Sequence, residues 1–90
     1  MATIVIKKDG SNQPFEEGKI KSSIQLACED AGIAEDKTAQ IVAQVLPAVL
    51  AVADGKESVA SSELGNAVLA GLDAAAPSAA DAWRKHRESK

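Results

Sequence analysis

The spacing of apolar positions changes along this chain, and each change marks an element. Thr3-Ile4-Val5-Ile6-Lys7 is short and β-branched, which predicts a strand. Asp9-Gly10 follows as a hairpin signal, because glycine accepts the positive φ that such a turn needs. Ser11-Asn12-Gln13 is polar and Pro14 fixes an extended entry, so Gln13-Pro14-Phe15 is expected as a second, very short strand. The period then lengthens to that of a helix. Ile20, Ile24, Ala27, Cys28 and Ala31 make one stripe. Glu16 and Glu17 fall in the first turn, where carboxylates suit the dipole, and Gly32 closes the helix.

A second helix opens at Glu35-Asp36. Ile41, Val45, Val49 and Val52 line one face, and Val42, Leu46 and Leu50 widen it, so this helix is expected at the centre. Pro47 sits inside it and predicts a kink near Gln44–Pro47. Gly55 ends the helix, and the connector from Lys56 to Ala60 can form a third strand. Ser61 is expected as the N-cap of a third helix, with Glu63 in its first turn and Leu64, Val68 and Leu72 facing the core beside Ala67 and Gly71. Ala74-Ala75-Ala76-Pro77 breaks that helix. Ser78 with Asp81 resembles a capping box for a last helix that carries Ala79, Ala82, Trp83 and His86.

Size and charge narrow what such a chain can do. Its 90 residues are expected to form one domain, over 1–90, with no room for a separate catalytic unit. The net charge of −3 argues against direct nucleic-acid binding, whose affinity comes largely from phosphate neutralisation. The distribution is uneven. Eight of the ten Lys and Arg residues lie towards the ends, Lys7, Lys8, Lys19 and Lys21 in one group and Arg84, Lys85, Arg87 and Lys90 in the other. These are either two solvated ends or, if the fold joins them, one basic face on an acidic body.

Cys28 is the only cysteine and His86 the only histidine, so neither a disulfide framework nor a zinc cluster can be built. Cys28 reads as a small core residue, and His86, among Arg84, Lys85 and Arg87, as an exposed side chain rather than a base. No serine stands in a nucleophile elbow, and no Walker-type glycine loop occurs. No apolar run approaches membrane-spanning length, and no signal-type segment opens the chain, so no membrane partner and a cytoplasmic location are expected. An enzyme is not expected. What remains is a candidate polyanion site: Lys7 or Lys8 with Lys19, helped by backbone N–H groups at a helix start. Simple solvation of the same lysines is the alternative.

Ile4-Val5-Ile6-Lys7-Lys8-Asp9-Gly10 followed by Pro14-Phe15-Glu16-Glu17-Gly18-Lys19-Ile20 closely resembles the opening of the ATP-cone domain. Ser61-Ser62-Glu63-Leu64 resembles the start of that family's third helix, and Ala80-Asp81-Ala82-Trp83 through Arg87 its closing segment. The resemblance covers almost the whole chain. It implies an α+β fold in which a short hairpin, extended to three strands, caps a four-helix bundle. It implies a regulatory site for one or two molecules of ATP or dATP, with magnesium as an optional companion. Such cones usually accompany ribonucleotide reductases or their transcriptional repressor, so the implied partners are the nucleotide, such an enzyme or regulator, and a second copy in a homo-oligomer.

Carried over by position, the resemblance gives Val5 a backbone contact to the base. It gives Lys7, Lys8 and Lys19 phosphate contacts, sets Ser61 near the ligand, and lets Arg87 approach the phosphates. Lys8 stands where the family usually has Arg, Gln13 where an acidic residue is frequent, and Gly65 where larger polar residues often occur. With no reductase or zinc-ribbon domain in the sequence, the chain is expected to be either a free-standing cone acting in trans or part of a longer protein. A cone that keeps the fold without the ligand, working as an interaction or dimerisation element, is the alternative function.

Overall fold

The computed structural model describes residues 2–88, without the side chains of Arg87 and Glu88. Strand β1 (Ile4–Ile6) turns back into β2 (Asn12–Pro14), one residue earlier than expected. Helices α1 (Glu17–Asp30) and α2 (Glu35–Ala53) follow, then β3 (Ser58–Ala60), α3 (Ser61–Ala75) and α4 (Pro77–Glu88). The sheet order is β2-β1-β3. β1 pairs antiparallel with β2, Val5 opposite Gln13, and parallel with β3, Val5 opposite Val59. A parallel pair requires a long crossover, and here α1 and α2 supply it. The N-terminal segment lengthens this seam, since Ala2 N–H donates to the Ala53 carbonyl and Thr3 N–H to that of Glu57.

The four helices form a ring of neighbours. α2 packs on α1 and α3, and α4 packs on α1 and α3. The sheet joins the bundle through β3, which rests on α2 and α3. This is the α+β cap over four helices that the resemblance implied. The core is aliphatic: Ile24 and Cys28 of α1, Val45 and Val49 of α2, Val59 of β3 and Leu72 of α3 are fully buried. Phe15 and Trp83 pack only at its edge.

Local chemistry explains most helix ends. After α1, Gly32 takes φ +76°. Ile33 N–H reaches back to the Cys28 carbonyl and Gly32 N–H to that of Glu29, the paired bonds of a Schellman cap. Two expected caps are not formed. Ala60, not Ser61, occupies the N-cap of α3, and Ser61 is already its first helical residue. Likewise α4 starts at Pro77, so Ser78 lies inside the helix. Proline at a first helical position gives up an N–H that has no intrahelical partner anyway, so it starts this helix as well as ending the one before. Pro47 lies within a continuous α2. Ala80, absent from the expected core stripe of α4, is fully buried beside Ala79.

Candidate functional site

The turn after β1 is built by Gly10. Its N–H donates to the Lys7 carbonyl at 3.0 Å, Lys7 N–H donates to the Ser11 carbonyl at 2.8 Å, and Gly10 takes φ +86°. This is a type I turn followed by a left-handed residue, a common hairpin closure. Asp9 completes it, with one carboxylate oxygen accepting from the Ser11 hydroxyl at 2.6 Å and from the Ser11 N–H at 2.9 Å. These bonds, the hydroxyl first, hold the Asp9 carboxyl below its ordinary value. The one carboxylate in the turn is thus engaged by Ser11. Lys7 and Lys8 are exposed and form no ion pair among the described residues.

The parallel β1–β3 pairing decides what lies beside them. Ile6 stands opposite Ala60, so Lys7 and Ser61 follow from the same end of the sheet. Ser61 opens α3 directly, with no side-chain cap on its first turn. The first N–H groups of a helix lack intrahelical partners, and the dipole makes that end positive. Glu63, in this turn, is drawn to Lys56 at 2.6 Å. An uncapped helix start therefore lies at the same sheet end as two unpaired ammonium groups, an arrangement that favours an anion.

Lys19 comes from elsewhere. Phe15 N–H donates to the Thr3 carbonyl, so the chain leaves β2 at the opposite end of β1 and α1 opens there. β1 has three residues, which span about 10 Å. The lysines thus flank the strand rather than clustering at one point. Lys19 is paired with Glu16 at 3.0 Å.

Val5 is half-buried on the face that carries the buried Val59, towards the helices. Phe15 N–H donates to the Thr3 carbonyl and Lys7 N–H to that of Ser11, so the alternation of an antiparallel ladder gives Val5 its bonds to Gln13. A backbone contact from Val5 to a base would use the second lone pair of its carbonyl. Arg87 belongs to α4, and its side chain lies outside the described residues.

Two features escaped the sequence reading. An open hollow of about 710 Å³ lies on the outer face of the sheet, between Ile4, Ile6 and Ser58, and none of the six nominated residues lines it. The second is His86, which is half-buried and paired with Asp30 at the end of α1 instead of standing free in solvent. The sequence offered no signal for that contact, because its partners are 56 residues apart. Among the described residues no three His, Cys, Asp or Glu side chains converge as a metal site, and no helix is long and apolar enough to cross a membrane.

The class that this fold defines is a small α+β domain, a three-stranded sheet on four helices, with two lysines and an uncapped helix start at one end of the sheet. The chain belongs to the ATP cone domain family, whose model matches residues 3–88. Among curated proteins it is similar to the transcriptional repressor NrdR of Rhodospirillum rubrum, 30% identical over 91 residues that cover 97% of this chain and 59% of the relative. It is also similar to NrdR of Chloroflexus aggregans, 31% identical over 69 residues, 77% of this chain and 38% of the relative. NrdR of Prochlorococcus marinus subsp. pastoris is 32% identical over 72 residues, 80% of this chain and 44% of the relative. The chain thus spans between 38% and 59% of the length of these relatives. Of the two settings that the resemblance implied, these relatives represent the repressor and not the reductase. Their description also stands against treating the acidic net charge as a bar to a role at nucleic acid.

Proposed function

We propose that this chain is a non-catalytic cytoplasmic module that binds ATP or dATP and changes its self-association, or its grip on a regulator, with the nucleotide bound. The observation that carries this reading is the uncapped start of α3 beside the unpaired Lys7 and Lys8. The phosphates would lie on those ammonium groups and on the first N–H groups of α3, near the Ser61 hydroxyl. Lys19 would reach them from the other end of β1, and the base would lie by Val5. Arg87 remains a candidate from the family pattern. Magnesium would travel with the phosphates, which bind it readily with few protein ligands. The relatives favour transcriptional control as the output and a repressor as the larger assembly. Any such switch requires unequal affinity of the nucleotide for two states of the module.

Calorimetric titration with ATP, dATP and ADP tests the reading. Binding is expected for the triphosphates, and Lys7→Ala or Lys8→Ala should each weaken it about tenfold, the worth of a hydrogen bond to a charged group. No heat and no thermal stabilisation at millimolar nucleotide would sink it. A second reading, a cone that acts only as a dimerisation or interaction element, is favoured by the outer hollow with its exposed Ile4 and Ile6. Amide shifts on ATP addition at Val5–Gly10 and Ser61–Glu63 would refute that alternative.

A further inference from the structure

Of the lysines nominated for phosphate, Lys19 differs from Lys7 and Lys8 in already holding a carboxylate. Glu16 is the N-cap residue of α1, with an extended backbone at φ −127° and ψ 110°, yet its side chain caps no backbone N–H. It turns to the Lys19 ammonium instead, at 3.0 Å. A carboxylate therefore sits at the start of α1, where a ligand's anionic group would have to arrive to meet Lys19.

We infer that Glu16 is an internal competitor for the nucleotide phosphates, so that Lys19 joins the ligand only when Glu16 releases it. This inference rests on the proposed nucleotide site. The chemistry is that of a displaceable counter-ion. Lys19 and Glu16 keep 75% and 49% of their side-chain surface exposed, so the pair is labile and a polyphosphate can open it. While closed, the pair lowers the apparent affinity by the fraction of time that Lys19 is engaged. Glu17, one residue on, is exposed and forms no ion pair among the described residues, so it supplies the same charge without the contact.

The test titrates the full chain and its Glu16→Gln, Glu17→Gln, Lys19→Ala and Glu16→Gln/Lys19→Ala variants with ATP and, separately, with inorganic tripolyphosphate at low salt. Glu16→Gln should tighten binding about two- to fivefold, the range of an exposed ion pair. Glu17→Gln should give less than half that gain, and the gain should vanish in the Lys19→Ala background. It should also shrink as salt is raised. Equal gains from Glu16→Gln and Glu17→Gln, a gain that survives Lys19→Ala, or no gain at all would overturn the inference. If tripolyphosphate shows the gain and ATP does not bind, Glu16 stands as the competitor and the nucleotide reading falls. If neither ligand binds any variant, both fall.

Discussion

At the residue scale, the hairpin turn shows how one short side chain sets the charge available to a ligand. Asp9 could have neutralised Lys7 or Lys8, but both of its hydrogen bonds go to Ser11. The bonds favour the charged form, so the folded carboxyl titrates below its ordinary value. The sign follows from linkage: the turn gains from the charge above about pH 3.8 and loses that gain as pH falls through the lowered value. A carbon-detected titration should place Asp9 below the usual carboxylate range, and Ser11→Ala should move it back up. An Asp9 midpoint that ignores Ser11→Ala would show that the bonds do not set it. The turn was legible from Asp9-Gly10, because its contacts span no more than four residues, whereas the hold of Ser11 on Asp9 was not read from the sequence. Ser61 was less legible. Serine is a good cap by propensity, but β3 runs straight into α3, and the residue at the junction is Ala60.

At the scale of elements, the tightest joint is between α2 and α3. A Cβ built on Gly71 would lie 2.8 Å from one methyl of Val45, whose side chain is buried and β-branched and so has few other rotamers. Gly71→Ala therefore sets two effects against each other. It improves helix propensity by about 1 kcal/mol, while overpacking costs about 1–3 kcal/mol. The overpacking should win, with a net loss of about 1 kcal/mol in urea unfolding. Adding Val45→Ala should remove the clash, so the pair of changes should cost less than the sum of the two alone. Strict additivity would mean that the helices move apart freely at this point. The apolar period placed Gly71 on the core face, but nothing in it named Val45 as the neighbour.

At the scale of the whole molecule, Cys28 reports on the core. It is fully buried, and burial pushes its thiol up, opposed by the nearby Thr38 hydroxyl, which makes no regular hydrogen bond of its own. The thiolate is the reactive form, so both exposure and charge protect this cysteine. Ellman's reagent should react with the native protein far more slowly than with the urea-unfolded chain. Stability should also fall above about pH 9, where the unfolded thiol ionises and the folded one does not. Rapid native labelling would mean that α1 opens locally. Three side-chain pairs close the bundle on the far side from the hairpin: Arg84 bridges Asp73 and Asp81, and His86 meets Asp30. Of the C-terminal basic group, Arg84 is thus drawn onto acidic partners, while the side chains of Arg87 and Lys90 lie outside the described residues.

Local sequence was enough for the elements, the hairpin turn, the aliphatic core stripes and the lysines that flank β1. Each of these depends on residues within about four positions of one another, where period, glycine and proline act directly. Tertiary structure alone decided the parallel pairing of β1 with β3, across the two helices that separate them. That pairing carries the uncapped start of α3 to the end of the sheet where Lys7 and Lys8 leave it. It could not be read beforehand, because it depends on how helices with similar apolar faces pack together, and that choice is made by the shape of the whole core.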